Sequence, residues 1–254
     1  MKYPIKLLVF DLDGTLLKTD KTVSEFTLNT LGRCRQSGIK LAYATGRGES
    51  DVPDLPAELF DASIVMSGAI ASIGDELVYS RLIPYDVARP LLLACDRRGI
   101  HIASQTKNMH YSNFNVSEVW ERISNFKVVD FSLHEIDAEK LYAVVRSGED
   151  AAFIEKNLPR ELYMTVSVDG LGMIMHRDAT KSKAVSALAE KWKLSPCEIA
   201  AFGDDLIDID MLKYAGIGVA MENALPMVKA AADAICPGNN EDGVAKWIQS
   251  NLLK

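Results

Sequence analysis

Short unbroken apolar runs alternate with stretches of helical spacing at both ends of this 254-residue chain, while the middle follows a different rhythm. "IKLLVF" (Ile5–Phe10) is continuously apolar after its lysine, the pattern of a central parallel strand buried on both faces. Ser24 reads as the N-cap of a helix that ends near Gly38. "IKLAYAT" (Ile39–Thr45) and "ASIVMS" (Ala62–Ser67) read as the next two strands. "AIASIGDELVYS" carries a Gly74-Asp75 turn between two apolar stretches, the mark of a hairpin. From about Pro84 the strands alternate with period two, as in "LYAVVRS" (Leu141–Ser147) and "LYMTVSV" (Leu162–Val168). Helices are expected over Asp86–Arg98, Val116–Ser124 and Glu149–Leu158. Alternation of this kind predicts an antiparallel sheet with one open face. After roughly His176 the first rhythm returns: a helix over Lys181–Trp192, the strand "EIAAF", a helix, "GIGVAM", and two more helices.

Strand and helix in this order predict an α/β fold. Its core is a Rossmann-like, doubly wound parallel sheet built from residues 1–83 and 177–254. An α+β domain, residues 84–176, is inserted into it. Composition fits a globular chain, with 48% hydrophobic and 25% charged residues. The net charge of −7, from 28 basic and 35 acidic residues, argues against a broad nucleic-acid or anionic-membrane surface. No apolar run approaches the roughly 20 residues that span a bilayer. "MKYPIKLLVFDLDG" has too short an apolar stretch, followed directly by acids, for a signal peptide. Cys34, Cys95, Cys197 and Cys236 are scattered, which suits free thiols in a reducing cytoplasm. The four histidines (His101, His110, His134 and His176) show no metal-ligand spacing, which argues against a zinc site. Nothing in the pattern specifies an oligomeric state.

In an open α/β sheet ligands collect at the carboxyl ends of the strands, and four features fall there. In "VFDLDGT", Asp11 follows the first strand and Asp13 lies two residues on, roughly the same way out of an extended chain. Gly14 then permits a sharp turn. Paired carboxylates at a strand end offer a nucleophile or metal ligand together with a proton carrier. In "YATGRG", Thr45 ends a strand, Gly46 leaves its N–H open to an oxyanion, and Arg47 stands close by to bind phosphate. In "DATKSKAVSAL", Thr180 is an N-cap that puts Lys181 and Lys183 in a first helical turn, where lysine opposes the helix dipole. A lysine so placed, above all Lys181, is a candidate for charge balancing. In "IAAFGDDLIDIDML", four aspartates (Asp204, Asp205, Asp208 and Asp210) fall within seven residues. Such crowding needs water or a positive charge among the carboxylates. Asp11 and Asp204 facing one end of the sheet, with no His or Cys, make an oxygen-only donor set suited to Mg²⁺.

Together these residues resemble the haloacid dehalogenase superfamily of phosphatases, in the Cof-type branch with a large inserted cap. "DLDGT", "TGR", a lysine opening a helix, and "GD" with a later Asp appear in the family's order. "MLKYAGIGVAMENALPMVKAAADAI…NNEDGVAKWI" is similar to that branch as well. The resemblance implies that Asp11 attacks phosphorus and forms an aspartyl-phosphate. Asp13 would protonate the leaving alcohol and then activate water, its backbone carbonyl also touching Mg²⁺. Thr45 and Lys181 would hold the phosphoryl oxygens, with Gly46 and Arg47 beside them. Asp204 would ligate Mg²⁺ directly, Asp208 would orient water on the metal, and Asn223 in "MENA" would approach the phosphate. The implied substrate is a small phosphorylated metabolite such as a sugar phosphate.

The chain departs from the family pattern at three places. Ile207 stands where the fourth motif usually has Asn, Ser182 stands where Gly commonly follows the motif lysine, and "SGA" (Ser67–Ala69) replaces "NGA". Asp205 suits a first helical turn, and Asp210 is assigned nothing beyond solvation. "HIASQTKNMHYSNFN" either lines the pocket or forms an exposed hairpin. The alternatives are a phosphomutase using the same intermediate, a phospho-acceptor signalling module, and a ligand-binding relative without activity.

Overall fold

The computed structural model describes residues 4–121, 123–167 and 169–253. The first three residues of the segment weighed as a signal peptide, Arg122 in the expected helix and Val168 at the end of an expected strand lie outside them. In chain order come β1 (Leu7–Phe10), α1 (Glu25–Gln36), β2 (Lys40–Ala44), β3 (Ala62–Val65), β4 (Ile70–Ile73) and β5 (Glu76–Ser80). Then follow α2 (Tyr85–Arg98), β6 (Ile102–Thr106), β7 (Met109–Ser112), β8 (Phe126–Val128), β9 (Lys140–Val144), α3 (Gly148–Asn157), β10 (Leu162–Val166) and β11 (Leu171–His176). The chain ends with α4 (Lys181–Trp192), β12 (Ile199–Gly203), α5 (Ile209–Tyr214), β13 (Ile217–Met221), α6 (Pro226–Ala231), β14 (Ala234–Cys236) and α7 (Gly243–Asn251).

These elements form two compact units. One runs up to Ser80 and resumes at Thr180; the other is Arg81–Ala179. The first holds an eight-stranded sheet in the order β14-β13-β12-β1-β2-β3-β4-β5. Its strands are parallel from β14 to β3, and the β4–β5 hairpin adds an antiparallel edge. β1 is buried along its whole length, as its unbroken apolar run requires, and Phe10 stacks on Phe202 of β12 with ring centroids 5.4 Å apart. Each such side chain removed from water contributes about 1.5–3 kcal/mol. From β1 the chain winds to β2 and β3 on one side and later to β12, β13 and β14 on the other. The carboxyl ends of β1 and β12 therefore flank the switch point where ligands bind in such sheets.

The second unit carries a six-stranded sheet, β10-β11-β9-β6-β7-β8. It is antiparallel except for β7 beside β8, so the expectation of a purely antiparallel sheet is corrected by one parallel pair. Its apolar core gathers residues of α2, α3, β6, β9, β10 and β11. The helix expected over Val116–Ser124 is only a single turn at Val116–Glu118. β-Branched Val116, Val119 and Ile123 favour helix weakly. Here Phe114 and Val116 bury against Ala103 and Tyr142, with Trp120 and Ile123 packed alongside. Tertiary packing of the aromatic groups overrides the helical spacing. "HIASQTKNMHYSNFN" forms the β6–β7 hairpin, yet Ile102–Gln105 are buried and do not lie open to solvent.

Among the described residues no helix is long and apolar enough to cross a membrane. All four cysteines are free, three of them buried.

Candidate active site

Asp11 begins where β1 ends. Its N–H continues the sheet ladder to Phe202 O at 2.9 Å, so its carboxylate is fixed at the carboxyl end beside β12. Gly203 closes β12, and Asp204 follows directly. Ahead of α4, Thr180 is the N-cap expected from sequence, its Oγ1 accepting the Lys183 N–H at 3.3 Å. Lys181 is thereby the first residue of the helix, and it is fully buried.

The Lys181 ammonium lies between two carboxylates, 2.6 Å from Asp11 Oδ1 and 2.5 Å from Asp208 Oδ1. Asp208 is itself buried, and its other oxygen accepts the backbone N–H groups of Asp204 and Asp205, each at 3.0 Å. One oxygen from each of Asp11, Asp204 and Asp208 lies within 4.8 Å of the others. Three carboxylates against one ammonium leave the cluster short of positive charge. Burial pushes Asp11 up to about 7, against the pull of Lys181 and with Asp208 and Asp204 adding to the rise. Burial likewise pushes Asp204 up to about 6, opposed by the Thr15 hydroxyl and reinforced by Asp208. Burial alone would lower the pKa of Lys181, but Asp11 and Asp208 outweigh it and hold the ammonium above its ordinary value. A cluster of oxygen donors with surplus negative charge and no His or Cys fits a hard divalent cation.

Two neighbours of Asp13 shape this cluster: Thr15, which had no expected role, and Gly14, expected only to make a turn. Thr15 Oγ1, buried, donates to Asp204 Oδ1 at 2.8 Å and fixes that carboxylate. Gly14 has φ +84°, and a Cβ there would stand 2.2 Å from Asp204 Oδ2. Only glycine both makes the turn and admits Asp204. Thr15 stands in the quoted "DLDGT", but its hydroxyl finds Asp204 across 189 residues, which spacing along the chain cannot reveal.

Asp13 does not join Asp11. The chain after β1 coils instead of extending, with Leu16 N–H returning to Asp11 O at 3.2 Å. The Asp13 carboxylate takes Arg47 Nε at 2.5 Å, Arg47 Nη2 at 2.7 Å and Lys21 Nζ at 2.8 Å. Hydrogen bonds from Arg47, with help from Lys21, hold Asp13 at about 2. Arg47, expected on phosphate, is thus engaged with Asp13 and also donates to Asp51 O at 2.7 Å.

Thr45 is buried where β2 ends, and its Oγ1 accepts the Arg47 N–H at 3.1 Å. The loop after β3 closes on it: Ser67 N–H donates to Thr45 O and Met66 N–H to Arg47 O, both at 2.9 Å. Met66 and Ser67 adopt φ +51° and +54°. Ser67 occupies the left-handed conformation that asparagine takes more readily, which gives the departure from "NGA" a local cost.

Asn223 links two loops: its Nδ2 donates to Gly14 O at 2.7 Å, in the loop that follows Asp11, and its Oδ1 accepts Asn239 N–H at 2.9 Å. Asp205 caps the short turn at Leu206–Asp208, as a first-turn acid should. Asp210 is not left to solvent, since its Oδ2 accepts both the N–H and the hydroxyl of Ser182. Ile207 is 41% exposed, and its Cδ1 lies 3.8 Å from where a Cβ on Gly46 would stand.

Comparisons with known proteins show the family of the chain. The family model of haloacid dehalogenase-like hydrolases matches residues 8–248. The chain is 29% identical over 263 residues to the 5-amino-6-(5-phospho-D-ribitylamino)uracil phosphatase YcsE of Bacillus subtilis, covering 98% of this chain and 96% of that protein. A phosphatase of the haloalkanoate (HAD) enzyme superfamily from Bacteroides thetaiotaomicron superposes with a TM-score of 0.84 at 27% identity, covering 97% of this chain and 95% of that one. A HAD subclass IIB sugar phosphatase superposes with a TM-score of 0.79 at 25% identity, covering 96% and 98%. The chain therefore belongs to the haloacid dehalogenase-like hydrolases of the Cof type and is a phosphoric monoester hydrolase.

Proposed function

We propose that the chain is a Mg²⁺-dependent phosphatase that hydrolyses a small phosphorylated metabolite, a sugar phosphate by preference, through a phosphorylated Asp11. The observation that carries this reading is the buried Asp11 carboxylate at the end of β1, 2.6 Å from Lys181 Nζ and grouped with Asp204 and Asp208. Phosphoryl transfer needs an aligned nucleophile and neutralised charge more than covalent complexity. Asp11 Oδ attacks phosphorus, and the bond from phosphorus to the alcohol oxygen breaks. Lys181 and Thr45 hold the phosphoryl oxygens while charge moves onto the leaving oxygen. Asp13 must bind a proton and loosen its pairing with Arg47 and Lys21 before it protonates that oxygen. In the second half it is already ionised to take a proton from the water that cleaves the phospho-Asp11 bond. Asp11 and Asp204, with the Asp13 carbonyl, would hold Mg²⁺ and Asp208 would orient water on it, and the cation would supply the positive charge that the carboxylates and the phosphoryl group together require.

The names of YcsE and of the subclass IIB sugar phosphatase both describe phosphate carried on a polyhydroxylated carbon chain. The likeness supports the same substrate class here. The test is phosphate release from a broad panel of phosphorylated metabolites, with Mg²⁺ and with chelator. Activity on sugar phosphates that chelator abolishes is expected; a rate indifferent to chelator would exclude the metal. Binding of Mg²⁺ to the folded state alone stabilises it by about 2.7 kcal/mol at 100 times its dissociation constant. A corresponding rise in melting temperature is expected when Mg²⁺ replaces chelator.

Ile207 bears on the same site. An alkyl group cannot hydrogen-bond the oxygens around a cation, and losing such an outer partner typically costs 10- to 100-fold in metal affinity. Ile207→Asn is expected to lower the Mg²⁺ concentration for half-maximal rate about three- to tenfold. The side chain is partly exposed, so folding stability should barely change. An unchanged Mg²⁺ dependence would show that Ile207 does not weaken the site.

A further inference from the structure

One short segment grips Lys181 at both ends. Asp208 takes the side-chain ammonium at 2.5 Å. Two residues later, Asp210 takes the backbone that follows the lysine: its Oδ2 accepts Ser182 N–H at 3.1 Å and Ser182 Oγ at 2.6 Å. Helix α4 needs such a partner. Its first turn holds no acidic residue but two lysines, Lys181 and Lys183, which oppose the helix dipole. Of the backbone donors Thr180 Oγ1 satisfies the Lys183 N–H, while it also bonds Ser182 Oγ at 3.0 Å, and the Ser182 N–H is one of the donors it leaves over. On another side the backbone is wedged, for a Cβ on Gly68 would stand 2.2 Å from the Thr180 carbonyl carbon and oxygen. The peptide that launches the lysine is thus held by the loop after β3 and by Asp210.

We propose that Asp210, acting through Ser182, is a positioning residue for Lys181. It fixes the first turn of α4 so that a flexible four-carbon stem delivers its ammonium to the Asp11 carboxylate. The proposal rests on the reading of Lys181 as the residue that neutralises Asp11 and holds the phosphoryl oxygens. A displacement of about 1 Å at a reacting centre can cost on the order of 100-fold in rate, so a small slackening of this turn is enough to matter. The serine at position 182 adds a second donor, its hydroxyl, to the bond that any backbone N–H at that place could make. The two residues that sequence reasoning left without a purpose are thereby one device.

The test compares D210A, D210N and S182A in the parent and in a K181M background. The readout is kcat/KM for p-nitrophenyl phosphate in saturating Mg²⁺, below every variant's melting range. D210A is expected to lower kcat/KM about tenfold and S182A two- to threefold. D210N keeps an acceptor for the Ser182 N–H and should recover most of the D210A loss. In the K181M background D210A should cost less than twofold, because the group it positions is gone. Inorganic phosphate, used as a competitive inhibitor, should bind D210A about fivefold more weakly. A D210A enzyme within twofold of the parent would overturn the proposal. So would an undiminished tenfold loss in the K181M background, or an unchanged phosphate inhibition constant beside a lowered kcat/KM. Should D210A not fold, S182A carries the same comparison at smaller amplitude. Full activity of K181M by itself would overturn the reading of Lys181 on which the proposal stands, and is seen without any change at Asp210.

Discussion

Lys181→Met is expected to destabilise the metal-free protein by about 3–5 kcal/mol, the usual cost of removing one partner of a buried ion pair. The ammonium is fully buried and is hydrogen-bonded to Asp11 and Asp208, both buried as well. Methionine fills nearly the same volume and makes no ion pair, so the loss is electrostatic and not a cavity effect. Two carboxylates then face each other, with Asp204 close by. The penalty should depend on conditions in two ways that a packing defect would not share. Saturating Mg²⁺ should shrink it, because the cation restores part of the missing charge. Lowering the pH from 8 to 5 should shrink it also, since protonation of one carboxylate relieves the repulsion that the lysine used to relieve. Urea unfolding of parent and variant at both pH values, with chelator and with Mg²⁺, measures all four cases. Phosphatase activity should fall at least about 100-fold, in line with the cost of removing one preorganised charge-stabilising group. A penalty equal under all four conditions would mean that Lys181 serves packing alone.

The parts of this site that sequence made legible are those that local chemistry dictates. Continuous burial of β1 and β12 shows as unbroken apolar runs, so the residues that leave those strands, Asp11 and Asp204, could be placed at one end of the sheet. The caps at Ser24 and Thr180 were equally readable, since each side chain satisfies a backbone donor three residues ahead. Partnerships across the fold were not. Asp13 and Arg47 are 34 residues apart, and their pairing arises because β1 and β2 are neighbours whose following loops meet. Nothing in "DLDGT" announces that its second carboxylate turns away from the first. Asn223 shows the same limit in another form. A polar side chain after a strand end gives no sign along the chain of which loops it joins, and its partners, Gly14 and Asn239, lie 209 and 16 residues away. The single turn at Val116–Glu118 replaced an expected helix because aromatic packing around Tyr142 rewards a different path.

Asp11→Asn is expected to abolish activity and yet leave the metal-free protein as stable as the parent or more so. An amide is not a nucleophile that forms an acyl phosphate, so phosphate release should drop by at least about 10⁴-fold, as when a covalent nucleophile is removed elsewhere. Stability runs the other way because the native carboxylate sits where burial disfavours its charge. Its pKa rises from 3.8 to about 7, chiefly through burial, while Lys181 opposes the rise and Asp208 and Asp204 add to it. Between those two values the folded chain holds a proton that the unfolded chain has released, so this group lowers stability as pH climbs through that window. Asparagine cannot ionise and escapes the loss, while Lys181 keeps Asp208 as its partner. The melting temperature of Asp11→Asn should therefore match the parent near pH 4, exceed it increasingly up to pH 7, and hold that lead above pH 7. Mg²⁺ should raise the parent's melting temperature more than the variant's, because the variant has lost one of three carboxylates. A variant that hydrolyses as fast as the parent would unseat Asp11 as the nucleophile. One that is inactive but less stable at pH 8 would show that the Lys181–Asp11 hydrogen bond outweighs the strain of crowding, so that the site would be built for stability as well as chemistry.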